Sequence, residues 1–438
     1  MTANASDLPA HVSPSVWRNT AAWTKAADIA VVLMAISLPW STSLVAIFAV
    51  AWLVFLIPTV KWQGFLESMK RPACATPLLL FALAVAGTLW ATDISWSDRL
   101  RGINPVAKLL AIPVLIYHFE RSGRGLWVFV AFLASCSLLM VVSWLTFADP
   151  RLVFDHAKIP GVPVKNYISQ SQEFAFCAFG AAGAAVMGLR ERRLALAALL
   201  FFLVILFIAN MVFVVSSRTV LVCIPVLLAV FAAKHFGKFG ALASLAVAAL
   251  VAAVAWNASP HLRDRINNVA LEYKAYKEQN QASSTGMRLE FWRKSIKFVE
   301  GAPLIGNGTG ATKTLFERDA IGRTGVSSEI IGNPHNQTLN VAVQWGVLGC
   351  IVLYAMWLSH LALFGGAGLA AWIGLVAVVQ NVVSSLFNSH IFDFVEGWIY
   401  VLAVGIAGGM VSRIGSSGTI ASRSSGTPII ANADRMPS

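Results

Sequence analysis

The sequence predicts an all-α polytopic membrane protein of about 12 transmembrane helices with one long polar loop containing short helices. Three observations predict it. Apolar residues make up 57 % and charged residues 12 % of the 438, and the mean hydropathy is +0.69, whereas soluble domains carry about 25 % charged residues. The apolar residues fall into runs close to the roughly 20 residues that a bilayer core about 30 Å thick requires. A polar segment ending on Pro334-His335-Asn336 interrupts these runs. Nine runs precede it and three follow.

Taken in order, residues 1–26 are polar, carry two tryptophans and end with Arg18 and Lys25. No small-residue cleavage site follows, so the segment reads as a cytoplasmic or interfacial lead-in rather than a cleaved signal. The predicted spans of 27–257 are 27–40, 42–60, 75–91, 104–119, 125–147, 170–188, 194–214, 218–234 and 239–257. The first two are divided only by Pro39-Trp40-Ser41. The loop, 258–335, is followed by spans at 336–360, 367–387 and 395–412. The tail, 413–438, is rich in Ser, Gly and Thr, a composition that predicts a disordered cytoplasmic segment. No internal repeat is evident.

The formal charge of +12 does not call for nucleic acid. With the amino terminus in the cytoplasm, the cytoplasmic segments collect fifteen of the 33 Lys plus Arg, and the short loops opposite hold mainly Arg99, Arg101, Arg151, Lys158 and Lys165. This bias places both termini inside and the long loop outside. The loop itself carries eleven basic residues, and because long loops escape the positive-inside rule they are not a topology signal. They read as a solvated surface near lipid headgroups or as a site for an anion. The five cysteines, Cys74, Cys136, Cys177, Cys223 and Cys350, lie far apart in or beside apolar runs, which implies neither a disulfide framework nor a zinc site.

Within the loop, 261–280 and 286–300 have helical character. Thr285 is a candidate cap for the second, and Arg288, Trp292, Ser295 and Val299 share one of its faces. The glycine-rich turn from Gly301 to Gly310 stops that helix. As a phosphate loop it is a weak signal, because no strand precedes it.

His335 is the leading candidate for chemistry. It follows a proline at the membrane re-entry, and an imidazole takes a proton from a hydroxyl near neutral pH; the competing reading is a capping or interfacial histidine. Arg218 lies between two apolar runs with no acidic neighbour in sequence. A membrane-edge arginine is costly and its guanidinium fork suits phosphate oxygens, although it also reads as a side chain reaching for headgroups. Arg265 and Arg288 either join that site or are surface charge. Arg101 and Lys108 form a second candidate anion site. Asp393 and Glu396 lie on the same outer side as His335, where one of them orients the histidine, balances the arginines or pairs for structure. No His and carboxylate cluster at metal-ligand spacing and no Walker-type loop is evident, so neither metal nor ATP is called for.

Three motifs in order carry a resemblance: Ser216-Ser217-Arg218-Thr219 opening a span, the Arg288 to Trp292 helix followed by Pro303-Leu304-Ile305-Gly306-Asn307-Gly308, and Pro334-His335-Asn336 closing the loop. The pattern resembles the O-antigen ligase family, which also includes O-antigen polymerases and protein O-oligosaccharyltransferases. The motifs cover residues 214–345, and the span count and loop position extend the resemblance over nearly the whole chain. It implies a multi-pass enzyme of the bacterial inner membrane with a lipid-carrier-dependent glycosyltransferase fold and an active site facing the periplasm. The implied reaction is inverting transfer of O-antigen glycan from undecaprenyl diphosphate to the lipid A core oligosaccharide, without metal, nucleotide or other cofactor. Partners are then the lipid-linked donor, the lipid A core acceptor and membrane lipids. Carried over by position, the family's histidine falls on His335 as general base. Its arginines fall on Arg218 and Arg288, as catalytic and diphosphate-binding groups, and on Arg265 as a diphosphate ligand; its carboxylate falls on Asp393. A polymerase or protein O-oligosaccharyltransferase with the same donor is the alternative within the class. A transporter of lipid-linked sugars is the alternative outside it, and spans nearly free of mid-membrane charge count against that reading.

Overall fold

The computed structural model describes residues 19–153, 159–215, 217–279 and 283–424. Most of the predicted lead-in, Ser216 of the first motif and the end of the predicted tail lie outside the described residues. Those residues form helices and turns with no strand. α1 (Thr20–Ser37) and α2 (Thr42–Leu56) are separate helices, because the chain turns over Leu38 to Ser41 and the Ser41 hydroxyl caps α2 by accepting from Leu44 N at 3.3 Å. α3 (Trp62–Met69) meets α4 (Pro72–Ala86) at a bend of 80°, with Pro72 at the helix start where its missing N–H costs nothing. α5 (Trp96–Ala107) and α6 (Ala111–Arg121) continue one another through a 3₁₀ turn at Lys108–Leu110.

α7 (Gly125–Ala148), α8 (Tyr167–Arg190), α9 (Leu194–Phe213), α10 (Arg218–His235) and α11 (Lys238–Ala258) follow. The long loop folds into α12 (Pro260–Gln279), α13 (Ser284–Gly301) and α14 (Ala311–Ala320), after which come α15 (Gln337–Leu363), α16 (Leu369–Ser384) and α17 (Phe394–Ser424). Ten of the described helices or continuous pairs are long and apolar enough to cross a membrane, or eleven if the bent α3–α4 pair is one span. The chain is a polytopic membrane protein, but length and composition do not reach the expected count of twelve. The predicted runs 75–91 and 367–387 fall outside the ten: the first bends against α3, and α16 has only 16 residues. The last helix also runs past the sequence boundary at 412, to Ser424.

α8 is the central helix, with 83 % of its span buried inside the protein. It packs against α7, α9, α10, α16 and α17. α17 lies close along α6 because Gly405 and Gly409 present no side chain there: a Cβ would come within 2.5 Å of Leu115 Cβ and 2.6 Å of the Ile116 carbonyl respectively. Small residues four apart are the usual means of bringing membrane helices together. α11 is the opposite case and buries no residue.

The site is positioned where the 385–393 turn is stitched to the start of α15. Gln337 N donates to Ser385 O at 2.9 Å and Asn336 Nδ2 to Leu386 O at 3.0 Å. Asn340 Nδ2 donates to Ser389 Oγ at 3.0 Å, that hydroxyl donates to Asn333 Oδ1 at 2.7 Å, and Ile391 N donates to Gln337 Oε1 at 3.1 Å. Because both partners of nearly every bond are side chains or turn backbone, the two segments hold one shape.

Candidate active site

His335 sits at φ +56°, a left-handed conformation uncommon outside glycine. Three contacts hold it there. Its N–H donates to Asn333 Oδ1 at 2.9 Å, Trp292 Nε1 on α13 donates to its carbonyl at 3.4 Å, and the Phe291 ring stacks at 6.2 Å from the imidazole. Nδ1 lies 2.7 Å from Asn388 Oδ1, and Asn388 Nδ2 donates to Asp393 Oδ2 at 2.7 Å. An amide that donates through its nitrogen to a carboxylate presents its oxygen to the ring, so Nδ1 carries the proton and Nε2 keeps a lone pair. Burial, and after it the Arg288 charge, lower the imidazole's pKa against the raising effect of the Asn388 bond. A neutral ring at neutral pH is the consequence.

The arginines gather on the other side. Arg218, Arg265 and Arg288 line one cavity of about 80 Å³ with Tyr167, Ile168 and Glu272. The Ser217 hydroxyl caps α10 and so fixes Arg218 at the helix start. Arg218 meets Glu272 of α12 by both nitrogens, at 2.6 and 2.8 Å, and its Nη1 also reaches Thr285 Oγ1 at 3.1 Å. The Glu272 carboxyl is held down to about 2 by Arg218, with the two Thr285 donors working against burial. Arg265 stacks over Tyr167 at 4.7 Å. Its Nε and that of Arg218 are buried without hydrogen-bond partners. Arg288 has no hydrogen bond or ion pair among the described residues. α13 therefore carries Arg288 and Trp292 one turn apart, one at the arginine cavity and the other on His335. Its amino end is capped by Ser283, which accepts from Gly286 N at 3.1 Å, and not by Thr285, whose hydroxyl is given to Glu272.

A second cavity, of about 360 Å³, shares Ile168 with the first and is lined by Asn388, Asp393, Glu396 and Lys165, among others. Burial first and Glu396 second push the Asp393 carboxyl up to about 7, with Lys108 acting against them. The turn also gathers a group that sequence spacing did not suggest. Ligand atoms of His390, Asp393 and Glu396 lie within 4.8 Å of one another, with His390 Nδ1 at 3.8 Å from Asp393 and 3.9 Å from Glu396. The positive charge beside this group is Lys108, whose Nζ donates to the carbonyls of Phe392 and Asp393. The expected Arg101–Lys108 anion site is thus not assembled: Arg101 is spent on Ser97 and Asp98 instead.

Two further expectations change. The glycine-rich turn is a joint, since a Cβ at Gly306 would meet the Gln344 backbone at 2.4 Å, at Gly308 Ala91 at 2.4 Å, and at Gly310 the Asp98 carbonyl at 2.3 Å. Six of the loop's eleven basic residues are also ion-paired. Arg293 pairs with Glu290, Lys294, Lys297 and Arg323 share Asp319, Lys313 pairs with Glu317 and Arg318 with Asp93. Asn388 and Glu272 were not singled out by sequence. Asn388 had a signal, five residues before Asp393 in a polar turn between apolar runs, whereas Glu272 is one of eight acids in the loop.

No curated protein matches the chain. A family model described as O-antigen ligase matches residues 202–354, a stretch that runs from α9 into α15 and holds Arg218, Arg265, Arg288 and His335 but ends before Asn388 and Asp393. Over that segment, about a third of its length, the chain is similar to the O-antigen ligase family.

Proposed function

We propose that the protein is an O-antigen ligase of the bacterial inner membrane, transferring glycan from undecaprenyl diphosphate to the lipid A core on the periplasmic side. The match of residues 202–354 to the O-antigen ligase model supports activity of the ligase or polymerase type; donor, acceptor and residue roles are the reading offered. The observation that carries it is the arginine cavity. Three guanidiniums face one carboxylate there, and among the described residues two buried Nε–H donors are unmatched and Arg288 makes no ion pair. The net charge of three minus one suits a diphosphate diester with its roughly two negative charges, which guanidinium forks bind by paired hydrogen bonds.

In this reading an acceptor hydroxyl gives its proton to His335 Nε2 as its oxygen bonds to the anomeric carbon. The bond from that carbon to the phosphate oxygen breaks, its electron pair leaves with the diphosphate, and the configuration inverts. Asp393 polarises Asn388, and Asn388 Oδ1 steadies the imidazolium that forms. Arg218, Arg265 and Arg288 meet the charge growing on the leaving group, where loss of one preorganised donor typically costs about 3 kcal/mol. The leaving group is already activated, so the step calls for neither nucleotide nor metal. The domain roles follow: 258–335 carries the catalytic region, and 27–257 and 336–412 are the membrane frame.

The test is transfer of labelled glycan from undecaprenyl diphosphate to purified lipid A core, without nucleotide and with chelator. The full-length protein is compared with His335→Ala and Arg218→Ala. Capped lipopolysaccharide from the parent and none from the folded variants supports the reading. Lengthening of the lipid-linked glycan instead makes the protein a polymerase. Movement of the donor across vesicles without transfer makes it a transporter.

A further inference from the structure

Lys108 is the cation that the proposed chemistry leaves unused. It lies in the 3₁₀ turn that joins α5 to α6, inside a 26-residue candidate span, where an ionisable side chain is costly and rarely incidental. Its ammonium crosses to the turn that leads into α17 and donates to the carbonyls of Phe392, at 3.0 Å, and of Asp393. Gly397 leaves the room for it, since a Cβ at that position would come within 2.6 Å of Nζ.

The Phe392 carbonyl has Lys108 as its donor, but the Asp393 carbonyl does not by itself explain a lysine. Asp393 O already accepts from Gly397 N at 3.2 Å within the helix, so an apolar side chain at 108 would leave it satisfied. What an ammonium adds is charge. Asp393 and Glu396 stand three residues apart in one helical turn, where two carboxylates repel. His390 is fully buried beside them, with neither ring nitrogen hydrogen-bonded, so its N–H is not given to either carboxylate among the described residues. From Asp393 the hydrogen bonds run on through Asn388 to His335.

We propose that Lys108 is a positioning residue for the transfer reaction: by pinning the segment that leads into α17 and supplying positive charge beside Asp393, it favours the ionised form of that carboxylate and keeps it aimed at Asn388, and thereby sets the proton on His335. The inference rests on the reading of His335 as the base. It gives α5–α6, which carries no other part of the site, a place in the mechanism.

The groups that face Asp393 are Glu396 on its own helix turn, His390 from the preceding turn, Lys108 from α5–α6, Lys165 across the shared cavity, and His335 through Asn388. Of these, Lys108 lowers the Asp393 pKa. Its removal therefore raises that pKa and protonates Asp393 at higher pH.

The experiment uses full-length protein in detergent, as parent, Lys108→Met and Lys108→Arg. It reads thermal unfolding, kcat and donor KM against pH, and the ring ¹⁵N resonances of His335. The expected result for Lys108→Met is a kcat at least about tenfold lower, a donor KM within about twofold of the parent, and a rising pH limb displaced upward by about one unit. The His335 ring signal moves as well, and Lys108→Arg restores the limb in part. A folded Lys108→Met with parental kcat and pH limb overturns the proposal. So does a lower kcat with the limb and the His335 resonance unmoved, because that is the mark of a merely structural lysine. If the parent transfers no glycan to any acceptor, the ligase reading fails, and the His335 resonance still decides whether Lys108 acts on the imidazole.

Discussion

Glu272 holds Arg218 by both carboxylate oxygens, at 2.6 and 2.8 Å, and so occupies the edge of the guanidinium that a phosphate would use. The donor then has to displace an internal competitor. Each side chain of the pair is about a fifth exposed, and such pairs contribute up to about 1 kcal/mol. Glu272→Gln should therefore lower the donor KM, by up to about fivefold, and slightly lower the unfolding temperature. Donor titration of the two proteins decides it; an unchanged or higher KM shows that the pair presents Arg218 rather than masks it. Because the folded Glu272 pKa is depressed from 4.5 to about 2, the pair's contribution to stability is present above pH 4.5. It falls progressively below 4.5 and is fully lost once pH has passed below about 2.

Arg288 makes no hydrogen bond or ion pair among the described residues, so its loss should damage catalysis with little effect on folding. Arg288→Ala is expected to reduce kcat/KM by about a hundredfold or more. Arg288→Lys should recover only a minor part of it, since a point charge does not replace a planar fork. Steady-state kinetics beside a melting curve separates the two effects.

The same arginine should show itself in the pH profile. Burial and Arg288 hold the His335 pKa below 6.5, so the limb of the pH profile that reports the free imidazole lies below 6.5, beneath the step near 7 that reports Asp393. Arg288→Ala removes a charge that disfavours the imidazolium, and its residual activity should show the limb moved to higher pH. An unmoved limb would mean that the titrating group is another one.

Asn388 is the link that fixes the tautomer. Asn388→Leu keeps the volume and removes both bonds, which leaves the His335 proton free to sit on Nε2. The expected loss in kcat is about ten- to a hundredfold, with donor KM nearly constant. A variant that loses KM and keeps kcat would place Asn388 in binding instead.

Gly310 tests the joint. It has φ +84°, and a Cβ would lie 2.3 Å from the Asp98 carbonyl, so Gly310→Ala meets both strain and a clash. A destabilisation of about 2 kcal/mol or more is expected, readable as a lower unfolding temperature, and added phosphate or nucleotide should not offset it.

The spans were legible because apolar composition and length are local properties of the chain. The loop helices were legible for the same reason: 261–280 and 286–300 correspond to Pro260–Gln279 and Ser284–Gly301. Relations across distance were not. Asn388 is 53 residues from His335, and Glu272 is 54 from Arg218, and nothing in either neighbourhood marks the pairing. Lys108 looked like an anion ligand beside Arg101 because sequence shows the charge but not the direction of the side chain, which points inward to α17. The loop's excess of positive charge looked like a surface for phosphate because acids spread along the chain, such as Asp93 and Asp319, fold back onto it.

α8 and α11 differ in what they ask of their residues. With no residue of α11 buried, its composition matters and its order does not. Shuffling Ala, Leu and Val within 238–258 should be tolerated almost everywhere, while the same scrambling of 167–190 would meet a neighbour at nearly every step. Among homologues, α11 is where sequence identity should decay fastest at constant apolarity, and an alignment scored on identity would lose its register there, a few residues before Arg265.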